Sequence, residues 1–328
     1  MTRARGGRRQ QWLPWVLSAA LLIYVFGWVT DWTRLRVALA QADMPLFIAF
    51  ASADRLAFFV VWTLLQAAAL RRFVAHVPIG SVLAIRGGSE LLRAVSNPLS
   101  DAAFFIGLVQ LCGGRVEGVV AAALVPAICH FLMMGLQMTL ALLVLPGGIA
   151  GNPDVAIGAG VMWLVVIVVM LAVRVSTMRA VPLPGVRYVR QWLERFSLRE
   201  LRPFFLSFIA LTAFDVLIQG FASRAFGVPI SWEALIGRIP LVYFSFLIPT
   251  LGNFGTREVA WAALFSEFGP RDALIAYAFS VNMVFLAINV VLGLIFLPRA
   301  LSLVAAVRQA RRRGGPLAEP PWRDPTEP

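Results

Sequence analysis

The sequence predicts an all-α polytopic membrane protein, with about six full spans and two broken segments arranged as an inverted repeat. Three observations carry this. The 328 residues are 59% hydrophobic and only 14% charged, with a mean hydropathy of +0.79, and apolar content that high in long runs fits helices facing lipid. The basic residues cluster in short segments beside those runs, which is the pattern that orients spans. Two otherwise apolar stretches are interrupted by glycine and carry charge at the interruption.

The net charge of +12 would suggest nucleic acid in a soluble chain, but its distribution argues otherwise. Arg3, Arg5, Arg8 and Arg9 precede the first run, Arg174, Arg179, Arg187, Arg190, Arg195, Arg199 and Arg202 share one connector, and Arg299, Arg308, Arg311, Arg312 and Arg313 follow the last run. Those sides are expected to be cytoplasmic, so both termini are. No nucleic-acid partner is expected.

Taken in order, residues 1–11 form a basic cytoplasmic start, and residues 12–30 read as an uncleaved signal anchor and first span. Residues 31–45 read as an external mixed-charge loop and 46–70 as span two. Residues 78–111 are too long for one crossing and carry Arg86, Glu90 and Arg93 around Gly87 and Gly88, followed by Asn97-Pro98. Spans follow at 116–145, 155–173, 203–222 and 273–297, with a loop lacking Lys and Arg at 146–154. The second irregular stretch, 238–267, breaks at Pro249, Gly252 and Gly255, with Arg257 and Glu258 just beyond. Charge-based orientation requires each irregular stretch to cross an even number of times, as a re-entrant hairpin or two short spans, from opposite sides. Units 46–145 and 203–297 then form inverted repeats within a domain covering 12–300, a transporter signature. Residues 182–203 read as an amphipathic helix on an anionic lipid surface. The tail, 301–328, is basic and Pro-rich.

Several chemistries are excluded. The chain has no lysine, so neither a Walker A loop nor a Schiff base is available. Two histidines, His76 and His130, and two cysteines, Cys112 and Cys129, offer no metal spacing and no disulfide framework. No cofactor and no metal are expected.

What remains is buried charge. Each charge at bilayer depth costs about 3 kcal/mol, so Glu90, Arg93, Arg257 and Glu258 must pair or face a hydrated cavity, and broken backbone is tolerated there for the same reason. Asp215, in the middle of a span, requires a partner, with Arg257, Arg238 or Arg93 in reach of the argument. Asp54 and Arg55 are adjacent and point apart, Arg55 toward the cavity. Arg238 is expected to snorkel outward. His130, Gln137 and Asn282 read as interhelical hydrogen-bond groups.

The first-half pattern Gly88-Ser89-Glu90-Leu91-Leu92-Arg93 and the second-half pattern Pro249-Thr250-Leu251-Gly252-Asn253-Phe254-Gly255-Thr256-Arg257-Glu258 together resemble the lysylphosphatidylglycerol synthase transmembrane region, the flippase-like membrane family. The chain has Gly252-Asn253 where that family favours Gly-Gly, and Asn282 where it often carries an arginine. The resemblance covers about residues 12–300. Its relatives of this size include hopanoid-biosynthesis-associated membrane proteins. With only a short tail after Arg313, it implies no lipid aminoacylation. It implies a lipid translocase of a bacterial inner membrane, with a membrane lipid as substrate and with Glu90, Arg93, Asp215, Asn253, Arg257 and Glu258 binding it. In that reading Gly87, Gly88, Pro249, Gly252 and Gly255 permit the breaks. The alternatives are an intramembrane lipid-modifying enzyme using the same carboxylates, and an accessory partner of a lipid-synthesis enzyme.

Overall fold

The computed structural model describes residues 32–93, 96–113, 116–179, 197–245 and 254–312. They are helical, in the order α1 Trp32–Gln41, α2 Met44–Phe73, α3 Ile79–Arg93, α4 Asn97–Leu111, α5 Val116–Val144, α6 Gly148–Gly151, α7 Pro153–Arg179, α8 Leu198–Ala225, α9 Trp232–Phe244, α10 Thr256–Leu264 and α11 Arg271–Arg312. The chain is an all-α membrane protein. Among the described residues α2, α5, α7, α8 and α11 are long and apolar enough to cross a membrane. The expected span at 12–30, most of the connector (182–196), the expected break residues Pro249 and Gly252, the expected lipid-binding Asn253, and the end of the tail lie outside the described residues.

Helix starts follow local sequence. The Asp43 side chain accepts from the Leu46 amide at 3.2 Å and opens α2. Ser197 and Glu200 form a reciprocal capping box at the start of α8, and Ser231 accepts from Ala234 at α9. Each such cap contributes about 1 kcal/mol. α4 begins after Ser96 with Pro98 in its first turn, where the missing N–H has no helical partner to lose.

Two helical hairpins stand out by length. α3 and α4 have 15 residues each, α9 has 13 and α10 has 9. At 1.5 Å per residue the longest reaches about 22 Å, short of the roughly 30 Å hydrocarbon core. Both hairpins lie along α11. Gly80 faces Arg299, Gly88 faces Ala300 and Leu297, and Leu91 faces Gly293, so α3 runs antiparallel to the second half of α11. Trp261 meets Tyr277, and Arg257 meets Asn282, so α10 runs antiparallel to the first half. α3 and α10 therefore lie along opposite halves of α11, and the C-terminal end of α3 and the N-terminal end of α10 converge near Asn289 and Asn282, two helical turns apart.

Four expectations are corrected. Gly87 and Gly88 do not break a helix; they lie inside α3, whose interruption comes after Arg93. Their role is close approach: a Cβ on Gly87 would sit 2.3 Å from the Phe296 ring, and one on Gly88 2.8 Å from Ala300 Cβ. Small residues let membrane helices pack backbone to backbone. Residues 32–41 form helix α1 rather than a loop, because Leu39 and Ala42 pack against the core around Phe47 and Leu274. α11 continues to Arg312, well past residue 297 and into the expected tail. Arg238 does not snorkel: its Nε lies 2.9 Å from Asp154 Oδ2 and its Nη1 2.8 Å from Glu267 Oε1, tying α9 to α7 and to the segment after α10. Gly255 does mark a break, with φ of 86°, a left-handed backbone that favours glycine.

The contact between α3 and α11 supplies a test. A methyl at Gly293 would meet the Leu91 backbone nitrogen at 2.8 Å, whereas one at Gly160 on α7 meets open space. Gly293→Ala is expected to lose about 1–3 kcal/mol, and Gly160→Ala to be neutral or gain up to about 1 kcal/mol, read as unfolding of the detergent-solubilised protein.

Candidate functional site: a charged cavity between two hairpin tips

Glu90 organises the first tip. It is fully buried, and three arginines surround it. Arg55 from α2 donates through Nη2 to Glu90 Oε2. Arg93 Nε lies 2.8 Å from the same oxygen and Arg86 Nε 3.2 Å from Oε1, as ion-pair contacts without hydrogen-bond alignment. The i, i+4 and i, i+3 spacing puts Arg86 and Arg93 on the face of Glu90. Both arginines also reach Asp101 on α4, Arg93 at 2.6 Å and Arg86 at 3.6 Å, so α3 and α4 are held together by charge. Ser100 reinforces this by donating to the Ser89 carbonyl at 2.8 Å. Arg55 donates through Nε to Asn289 on α11 at 2.7 Å.

The second tip uses a neutral bridge. Glu258 caps its own helix, Oε2 accepting from the Gly255 amide at 2.7 Å. Asn282 donates from Nδ2 to Glu258 Oε1 at 2.9 Å and accepts at Oδ1 from Arg257 Nη1 at 2.9 Å. Because the amide has a donor and an acceptor end, it ties the guanidinium and the carboxylate to one point on α11. The Arg257 guanidinium also stacks over Phe285 at 4.8 Å.

Between the tips lies a cavity of about 690 Å³. Arg55, Arg86, Arg93 and Arg257 all reach its wall, with Asn282 and Asn289 between them. Glu90 and Glu258 stand behind the wall, buried, as supports. The rest of the wall is largely apolar: Phe58, Trp62, Phe104, Phe105, Leu108 and Phe285. α4 forms one lip, with Asp101 and Ala102 both exposed and facing the cavity.

The expected residues thus divide. Arg93 and Arg257, from opposite halves of the chain, do share one cavity. Glu90 and Glu258 adjoin it but stand too deep for direct contact. Among the described residues Asp215 makes no ion pair with an arginine: it accepts from Tyr243 Oη at 2.5 Å and from Gln219 Nε2 at 3.3 Å, behind the wall. Asn253 lies outside the described residues. Gln137 makes the interhelical bond expected of it, donating to the Ile236 carbonyl at 2.6 Å. His130 instead packs among the rings of Trp62, Phe208 and Tyr243. Cys112 and Cys129 are buried, and neither forms a disulfide among the described residues. Sequence reasoning did not place Arg86, Asp101, Tyr243 or Asn289 at the site. The signals were faint: Arg86 is four residues before Glu90, and Asn289 is seven after Asn282 on the same helix face.

Comparison with known proteins finds no matching family model, no similar curated protein and no similar solved structure.

The charge arrangement predicts unequal costs for removing acids. Glu90→Gln leaves three guanidiniums without their buried counter-charge and is expected to cost about 3–5 kcal/mol. Asp101, more than half exposed, is expected to cost about 1 kcal/mol or less as Asp101→Asn. Unfolding of both variants in detergent checks the ranking.

Proposed function

We propose that this protein binds a lipid by an anionic headgroup in the inter-hairpin cavity and moves it between leaflets. One observation carries the reading: four arginines from three helices, α2, α3 and α10, line a single cavity in a membrane-type helical bundle and outnumber the two aspartates on its wall, Asp54 and Asp101, while Glu90 and Glu258 are set behind it. A cation presented this way still has donors to offer, and guanidinium forks match phosphate or carboxylate oxygens. The apolar part of the wall and the lip formed by α4 suit an amphiphile whose tail stays in lipid. The two hairpin tips meeting on α11 suit a site reached alternately from either end. This is the activity implied by the resemblance to the flippase-like family, in a bacterial inner membrane with both termini cytoplasmic. Glu90 and Glu258 act here as positioning residues for the arginines, with Arg93 and Arg257 contacting the headgroup. A carboxylate-based enzyme gains less support, since those two glutamates are held by arginine, backbone and amide partners and do not line the cavity.

The test is transbilayer movement of fluorescent phosphatidylglycerol and phosphatidylcholine in vesicles holding the purified protein. The anionic lipid is expected to move faster. Arg257→Ala and Arg93→Ala are each expected to slow it by about 10- to 100-fold, the equivalent of losing one charged hydrogen bond of about 1.5–3 kcal/mol. Equal rates for both lipids and both variants would rule out the reading, and chemical conversion of the lipid would replace it with an enzymatic one.

A further inference from the structure

Beside the arginine cavity lies a second polar cluster with a different chemistry. Asp54 on α2 and Asp215 on α8 are both buried, at 2% and 1% exposure. A single nitrogen serves them both: Gln219 Nε2 donates to Asp54 Oδ2 at 3.0 Å and to Asp215 Oδ1 at 3.3 Å. The amide orientation is fixed from the other side, because Tyr277 Oη on α11 donates to Gln219 Oε1 at 2.5 Å. Tyr243 on α9 donates to the remaining oxygen of Asp215, Oδ2. Four helices therefore converge on two carboxyl groups.

The donor count falls short. Two ionised carboxylates present about eight lone-pair sites, and the cluster supplies the two amide hydrogens of Gln219 and one phenolic hydrogen. The charged neighbours are already engaged, Arg55 with Glu90 and Asn289, and Arg257 with Asn282. Among the described residues Asp54 Oδ1 is buried with no hydrogen-bond partner, and Asp54 is also on the cavity wall. Two carboxyl groups sharing one donor nitrogen in a low-dielectric interior repel one another when both are ionised. One proton between them removes the like-charge repulsion and provides a missing donor.

We propose that Asp54 and Asp215 form a shared proton site, and that binding of an anion to the arginines beside it draws that proton in. The coupling follows from electrostatics. The positive field of Arg55 and Arg257 helps hold the carboxyl pair ionised, and an anion arriving on those arginines offsets that field. Proton and anion then enter together, and linkage makes the effect reciprocal, so a protonated pair binds the anion more tightly. This half of the proposal rests on the anionic-headgroup reading; the proton site itself does not. The groups facing the pair are Arg55 from α2, Gln219 from α8, Tyr243 from α9, Arg257 from α10 and Tyr277 from α11.

The full-length protein in phosphatidylcholine nanodiscs tests both halves. Infrared difference spectra on changing pH are expected to show a carboxylic-acid C=O band that shifts with ¹³C-aspartate labelling and is lost in Asp54→Asn and in Asp215→Asn. Labelling keeps the result decisive in the unmutated protein even where a variant fails to fold. Absence of an aspartic-acid band at every pH at which the protein stays folded overturns the site. Adding dodecyl phosphate in weak buffer is expected to give uptake of up to about one proton per chain, with none for dodecylphosphocholine. Binding of dodecyl phosphate without proton uptake overturns the coupling and leaves the anion site standing. No binding at all removes the anion reading and the coupling together, while the infrared band separately decides the proton site.

Discussion

A carboxylate with three guanidiniums around it, sealed from water between short helices, is the constraint on which the first half of this protein is built. In hydrocarbon an isolated charge is costly enough to be excluded or neutralised. Glu90 avoids both by collecting Arg55, Arg86 and Arg93, and each of those contacts fixes a different element. Arg55 brings in α2 and, through Asn289, α11. Arg86 and Arg93 carry the interaction across to Asp101 on α4. The same group that makes the interior electrostatically tolerable therefore also sets where the hairpin tip sits.

The second half reaches a similar result by other means. Its glutamate caps the helix it starts, and a neutral amide on α11 holds the glutamate and the adjacent arginine together. α11 acts as a common rail: glycine contacts admit α3 along one half of it, and aromatic contacts seat α10 along the other. The two tips meet near its middle because each runs antiparallel to its own half.

The outcome is a wall on which four arginines outnumber two aspartates, Asp54 and Asp101, with Glu90 and Glu258 behind it. That excess matters more than the charge of the whole chain, because a ligand meets only what the cavity exposes. The acids divide again by role. Glu90 is ringed by three guanidiniums and Glu258 is held by a backbone N–H and an amide, and both serve as supports. Asp54 and Asp215 instead share one amide nitrogen, and among the described residues neither makes an ion pair with an arginine.

Much of this was legible in the chain itself. Hydropathy and the placement of arginine defined an all-α membrane protein, the four long runs from span two to span five, and the two stretches too irregular to be single crossings. The cost of buried charge singled out Glu90, Arg93, Arg257 and Glu258, and the structure brings the two arginines to one cavity. What the chain could not disclose was partner choice. Gly87 and Gly88 read as a break because glycine in a charged stretch signals one locally, yet their missing side chains serve Phe296 and Ala300, more than 200 residues away. Asp215 called for an arginine and received Tyr243 and Gln219. Arg238 looked free to reach water and is held by two acids from other segments. Burial and periodicity are properties of a segment, so the sequence fixes which groups need satisfying. Which group satisfies them depends on distances between helices, and those exist only once the bundle has packed.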